Sequence, residues 1–219
     1  VLLAGDIGNR LFDNFKKNNP ERFYNCGVAE ANMTGVASGL ASSGFRPITY
    51  TITPFNTARC FEQIRLDICY PNLPVIIVGT GSGLSYASLG ATHHSMEDIS
   101  ILKTLPNLQI LCPGDKNEVT EALLCAYNSK KPTYIRLGKK GEPIIHKKKP
   151  NFKIGKSIIL KKGKDIALLG VGNALPIASK CEEILNLENI KSDLVSFHTA
   201  KPLDEKLVKK LFKSNKLIV

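Results

Sequence analysis

Short apolar runs along this chain alternate with longer stretches whose apolar residues recur every three or four positions. The runs "VLLAG", "RFYNC", "RPITYT", "LPVIIVGT", "LQILCPG" and "PTYIRLG" read as strands. Between them, a helix is predicted through Leu11, Phe12 and Phe15, another after Glu30, and a third from Phe55 to Ile68 with Phe61, Ile64 and Ile68 on one face. "SMEDISILKTL" reads as a short helix and "DKNEVTEALLCAY" as a longer one. Near-continuous apolar strands alternating with helices predict an α/β fold: a doubly wound, mostly parallel sheet covered on both faces. After a lysine- and proline-rich stretch at 139–153 the pattern restarts. "KSIILKKGKDIALLGVG" reads as a hairpin feeding a core strand, followed by helix, strand, helix and the strand "KLIV". The division expected is one α/β domain over 1–145 and a second, truncated one over 146–219. The strand-like start and the clipped final strand predict a piece of a longer chain.

Glu30 stands out in this pattern. It opens a helix of small and apolar residues, Ala31, Gly35, Val36, Ala37, Gly39, Leu40 and Ala41. A first-turn glutamate can cap the helix and interact with its positive end. The small residues also predict close packing on several sides, which would bury the carboxyl group, and buried carboxyls gather at functional sites. Both readings stand at this level.

The segment "VGTGSGLSYASLGATHHSMED" places glycines 79, 81, 83 and 90 after the most apolar strand, where ligands bind in open α/β sheets. It is not a P-loop, because no Gly-Lys-Ser/Thr follows. His93 and His94 are read as opening the next helix, where the dipole would keep an imidazole neutral, donating from one nitrogen and accepting at the other. They could equally be loop histidines. Adjacent histidines alone lack further ligands for a metal. "GVGNALP", at 170–176, lacks the third glycine of a dinucleotide fingerprint and reads as a tight strand-to-helix turn.

The totals narrow the class. The 219 residues are 43% hydrophobic, enough for a real core, and no apolar stretch reaches the ~18 residues of a membrane span. Six scattered cysteines without C-x-x-C pairs read as reduced thiols of a cytoplasmic protein. Much of the net charge of +11 lies between Leu137 and Lys164. No nucleic-acid-binding motif accompanies those lysines, so a solvated linker and hairpin surface is expected, with neither nucleic acid nor membrane as partner.

"RFYNCGVAEANMTGVASGLASSGFRPITYT", "TARCFEQIRLDI", "LGATHHSMEDISILKTLPNLQILCPGD", "PTYIRLGK" and "FHTAKPLD" fall in the order found in transketolase-type thiamine diphosphate enzymes. The chain most resembles the separate C-terminal subunit of split bacterial transketolases. The first 138 residues or so are similar to the pyrimidine-binding domain and the rest to the start of the C-terminal domain. The resemblance implies a cytoplasmic transferase of carbohydrate metabolism that moves a two-carbon ketol unit between sugars. It implies Glu30 as the catalytic carboxyl that hydrogen-bonds the cofactor's aminopyrimidine ring. It further implies Phe55 as the ring stacked on that pyrimidine, His93 as the histidine reaching the donor sugar with His94 beside it, and Lys139 near a phosphate-binding position that carries arginine in single-chain members. Lysine there keeps the charge and loses the fork geometry.

Two positions depart from the single-chain pattern. Leu89 stands where an aspartate is usual and Gly81 where a histidine is usual, so sugars other than the pentose phosphates stay open as substrates. The diphosphate- and Mg²⁺-binding signature, Gly-Asp-Gly followed by Asn, is not seen; "AGDIGNR" has Gly5 and Asp6 without the next glycine. An N-terminal chain or segment carrying that site is expected as partner, with two copies associating through the pyrimidine-binding domains. The alternatives are a deoxyxylulose-phosphate-synthase-like or 2-oxo-acid dehydrogenase beta-like subunit, and a catalytically silent assembly subunit.

Overall fold

The computed structural model describes residues 1–8 and 10–219, which form two compact units, 1–110 with 126–139 and 111–125 with 140–219. Up to residue 139 the elements are β1 (Leu2–Ala4), α1 (Asp13–Asn18), β2 (Phe23–Asn25), α2 (Glu30–Ser42), β3 (Ile48–Ile52), α3 (Thr53–Asn56), α4 (Phe61–Gln63), β4 (Ile76–Thr80), α5 (Asp98–Lys103), β5 (Gln109–Leu111), α6 (Lys116–Ser129) and β6 (Thr133–Arg136). In the first unit the strands lie in the order β5-β6-β4-β3-β1-β2. The pairs β1·β2, β1·β3, β3·β4 and β4·β6 are all parallel. All five residues of β4 are buried, as expected for a central strand covered on both faces. Met33, Ala37 and Ala41 of α2 bury one side of that helix.

Parallel pairing has a direct consequence. The carboxyl ends of β2, β3, β4 and β6 lie along one edge, so the segments that follow them are gathered there. Those segments carry Glu30, Phe55, the glycine loop and Lys139.

The single helix expected from Phe55 to Ile68 is instead broken. α3 ends at Asn56, a 3-10 turn covers Ala58–Cys60, α4 covers Phe61–Gln63 and a π-helical stretch runs over Ile64–Cys69. Polar side chains tie α3 to the sheet: Thr53 Oγ1 donates to the Thr80 carbonyl at 3.0 Å and Asn56 Nδ2 to the Val78 carbonyl at 2.9 Å. A side chain at Gly79 would stand 2.9 Å from Thr53 Oγ1, so this approach requires glycine. Ile64 and Ile68 must also reach the core, where both are fully buried. Each such side chain contributes roughly 1.5–3 kcal/mol, which outweighs the irregular backbone hydrogen bonds of the break.

The second unit contains β7 (Ile158–Lys161), β8 (Ile166–Gly170), α7 (Leu175–Leu187), β9 (Ser192–Ser196), β10 (Thr199–Lys201), α8 (Glu205–Ser214) and β11 (Leu217–Ile218). Its four-stranded sheet has the order β11-β8-β9-β7. The expected hairpin at 157–170 is not formed, because β7 pairs antiparallel with β9 and not with β8. The connecting turn is held over the entry to β9. Gly163 N–H donates to Asp193 Oδ1 at 3.0 Å, and a side chain at Gly163 would come within 2.5 Å of the Lys191 backbone. One core cluster joins Ala167, Val195, Phe197 and Leu211, and another joins Leu168, Leu175 and Leu194.

Candidate active site

Glu30 begins α2, yet it does not cap it. No side chain caps this helix, and the carboxylate bonds a side chain instead. Glu30 is 2% exposed; Arg59 Nη1 donates to its Oε2 at 2.8 Å. The other oxygen, Oε1, is buried without a hydrogen-bond partner among the described residues. An unsatisfied buried acceptor is costly, and it marks a place where a donor from outside the chain would be stabilised.

From Glu30 the contacts run outward in a line. The Arg59 guanidinium lies over the Phe55 ring, 4.1 Å from its centroid. Phe55 meets His93 edge-to-face at 5.2 Å between ring centroids, and His93 meets Tyr86 at 5.9 Å. Lys139 Nζ lies 4.5 Å from the Tyr86 ring centroid. The structure thus brings Glu30, Phe55, His93 and Lys139 to one edge of the first unit. Arg59 and Tyr86 complete the line, and sequence reasoning did not single them out.

Gly81 explains the position of Tyr86. With φ at +77°, it adopts a backbone conformation that favours glycine, and an added side-chain carbon would stand 1.9 Å from the Tyr86 ring. The ring therefore fills the space a side chain at position 81 would take. Burial pushes the Tyr86 phenol above its ordinary range, so its hydroxyl stays protonated at neutral pH.

His93 and His94 do not open α5, which starts only at Asp98. They lie in a loop closed by the bridge between Gly83 and Ser95, whose backbones exchange two hydrogen bonds at 3.0 Å. Asp98 sets the helix start. It is buried and its Oδ2 accepts from Tyr134 Oη at 2.7 Å and Arg136 Nε at 2.8 Å, while Arg136 also reaches the Ser95 carbonyl. The dipole argument for these histidines therefore falls. His93 Nδ1 shares a proton with Thr92 Oγ1 at 2.9 Å, and His94 Nε2 lies 3.4 Å from the Ala87 carbonyl, turned back into its own loop.

The edge thus holds a buried acid with one open oxygen and, running outward from it, guanidinium, phenyl, imidazole, phenol and ammonium groups. The family model of the transketolase pyrimidine binding domain matches residues 4–142, and that of the transketolase C-terminal domain matches 155–219. The chain belongs to the transketolase family, whose members depend on thiamine diphosphate.

Among relatives, a protein named as a transketolase C-terminal section from Methanocaldococcus jannaschii is 36% identical over 213 residues, 96% of this chain and 67% of its own length. A subunit of an apulose-4-phosphate transketolase from Actinobacillus succinogenes is 34% identical, covering 94% of this chain and 66% of its own. A solved split-gene transketolase, described as an inactive beta4 tetramer, superposes with a TM-score of 0.90 at 33% identity, over 100% of this chain and 71% of its own. The chain therefore spans about two thirds of the length of these relatives. A 1-deoxy-D-xylulose-5-phosphate synthase from Dictyoglomus thermophilum also matches at 35% identity, but this chain covers 33% of it.

Proposed function

We propose that this chain is the C-terminal part of a thiamine-diphosphate-dependent transketolase, transferring a two-carbon ketol unit between sugars, with a separate N-terminal polypeptide holding the cofactor's diphosphate and Mg²⁺. The observation that carries the reading is the open, buried Oε1 of Glu30, whose carboxyl group is linked to the Phe55 ring through Arg59. These residues fit an aminopyrimidine: the carboxyl group faces a ring nitrogen and the phenyl ring offers a stacking face. Bound there, thiamine diphosphate would supply the electron sink for carbon–carbon cleavage. Glu30, shielded from water, would share a proton with the ring nitrogen and make the ring a better internal base. His93 would donate to hydroxyls of the donor sugar, with His94 at the margin of the same loop. Lys139, exposed at the rim, would attract a phosphate or another anionic group.

The names of the relatives, one a C-terminal section and the other one subunit of a transketolase, support the need for a partner chain. Self-association through the first unit is supported by α2, where side chains added at Gly35 or Gly39 would meet nothing within 4 Å and Val36 is exposed. A functional boundary near residue 145 is proposed, and the gap between the family matches, which end at 142 and resume at 155, supports it. A cytoplasmic location accords with six cysteines that form no disulfide. No helix among the described residues is long and apolar enough to cross a membrane.

The test is a coupled ketol-transfer assay after mixing this chain with a matching N-terminal transketolase subunit, using several ketose donors. Turnover that requires both chains and thiamine diphosphate is expected. Its absence with every donor, in a complex shown to assemble, would discard the reading. Gly81 and Leu89 keep a second reading in play, a subunit acting on pyruvate. Incubation with pyruvate separates the two, since release of carbon dioxide marks the second.

A further inference from the structure

Arg59 covers the Phe55 face that the pyrimidine reading uses and pairs the second oxygen of the Glu30 carboxyl group, leaving Oε1 open. Its guanidinium is planar, cationic and rich in donors, and it lies on the face of Phe55 at 4.1 Å while bonding Glu30 Oε2 at 2.8 Å. A flat ring nitrogen base held by the same residues would make two interactions of the same kind, a hydrogen bond to the carboxyl group, at the open Oε1, and a stack on the phenyl ring. The two cannot both cover one face of one phenyl ring.

The two partners differ in freedom. The Glu30 side chain is 1% exposed, whereas Arg59 is 44% exposed and stands on a 3-10 turn beside the exposed Ala58. The glutamate is locked and the arginine can leave. A buried carboxylate without any partner is strongly destabilising, so a chain that holds no pyrimidine needs a cation at this point. Arg59 supplies one from within.

We propose, resting on the pyrimidine reading above, that Arg59 is an internal stand-in for the cofactor's aminopyrimidine: it neutralises Glu30 and covers Phe55 in the cofactor-free chain, and swings outward when the pyrimidine enters. Arg59 is thus a positioning residue that sets how much of the site is open at any moment. The apparent affinity of a ligand falls with the fraction of protein whose site is open. Removing the stand-in opens the site and leaves a charge that only the ligand can pair.

The test uses the complex reconstituted with the N-terminal subunit and freed of cofactor, titrated with thiamine diphosphate and Mg²⁺ by calorimetry. Arg59→Ala should bind more tightly than the native complex, by roughly three- to tenfold if the arginine covers the site most of the time. In the Glu30→Gln background the same substitution should change affinity by under about twofold, because the guanidinium has lost its anionic anchor. Binding that is unchanged or weaker in Arg59→Ala overturns the proposal and leaves the pyrimidine site standing. No binding in any variant, the native complex included, removes the pyrimidine site and the proposal with it.

A second measurement needs no substitution. In the native complex, side-chain nitrogen NMR should show slowed rotation of the Arg59 guanidinium, becoming free on saturation with thiamine diphosphate and Mg²⁺. Rotation that stays slowed in the saturated complex overturns the displacement. This readout decides the matter even where Arg59→Ala fails to fold.

Discussion

Each unit buries a glutamate, and the two are satisfied in opposite ways. In the second unit, Glu118 is fully buried, and its Oε1 accepts from Ser196 Oγ at 2.6 Å and bonds His146 Nε2 at 2.8 Å. Its Oε2 accepts from the Gly114 N–H at 2.7 Å. The neighbouring Asp115 takes the N–H groups of Ile145, His146 and Glu118. Both oxygens of Glu118 are used within the fold. In the first unit, Glu30 has one bond, to a half-exposed arginine, and an open oxygen. Burial alone therefore does not mark a functional acid. A saturated carboxylate is a fastening, and an unsaturated one keeps an oxygen that a donor from outside the chain could take.

The contrast breaks most plainly at Glu118. Glu118→Ala strips the partner from Ser196, His146 and the Gly114 N–H at once. It is expected to destabilise the second unit by about 3–5 kcal/mol, the range for breaking a buried charged network. Denaturant unfolding followed by a probe placed in that unit would measure it. A loss under about 1 kcal/mol would mean that Glu118 is no fastening.

His198 tests the same network through pH. The ring is fully buried and stacked on Phe152 at 3.8 Å, and its Nε2 has no partner among the described residues. Burial pushes its pKa from 6.5 down to about 4, with the nearby His146 adding to the fall against the pull of Glu118. The unfolded chain then takes up a proton that the folded chain refuses. Stability from the neutral ring is present above pH 6.5 and is lost as pH falls toward 4, by up to about 3 kcal/mol. His146 has the opposite sign: burial lowers its pKa, but the Glu118 bond and the charges of Glu118 and Asp115 raise it overall. Its contribution is present below the ordinary value and fades as pH rises past the raised one. His198→Gln isolates the first effect. The variant should lose less stability than the native chain between pH 6.5 and 4, and the two curves should run parallel above about 7.

The Glu30 side of the comparison is sharpened by Glu30→Gln. Glutamine keeps the shape and removes the acid. In the reconstituted complex, hydrogen–deuterium exchange at the thiazolium carbon of bound thiamine diphosphate should slow by roughly a hundredfold or more, with the fold intact. An unchanged rate in a folded, cofactor-saturated variant would sink the catalytic assignment.

Much of this architecture is legible in the sequence. The apolar runs mark the strands because buried parallel strands have no polar face to interrupt them, and Glu30 opens α2 as its sequence indicates. What escapes depends on contacts distant in sequence. The break after Asn56 comes from hydrogen bonds to Val78 and Thr80, which no local periodicity records. The pairing of β7 with β9 rests on a turn seated against residues 191–193. His93 and His94 look like a helix start because Asp98 owes its place to Tyr134 and Arg136, far along the chain. Arg59 draws no notice in the sequence, since an arginine on an amphipathic stretch is ordinarily a surface residue. Only the broken helix turns it back over Phe55.

The smallest effect expected concerns the rim of the first site. At Gly81 the backbone is left-handed and the Tyr86 ring lies where a side chain would go. Gly81→Ala meets two penalties, the unfavourable φ and the collision with the ring, and something must move. Moving Tyr86 is the cheaper course, because the ring is only partly buried and lies in an irregular loop. The stability cost should then stay near about 1–2 kcal/mol, that of one strained residue. The functional consequence is more telling. Tyr86 touches both His93 and Lys139, so displacing it should disturb sugar contacts while leaving Glu30 and Phe55 untouched. In the reconstituted complex, the KM for the ketose donor should rise several-fold, with the affinity for thiamine diphosphate held within about twofold. Equal losses in both would show that the rim and the Glu30 end act as one structural unit. A change in neither would place the sugar elsewhere than at His93.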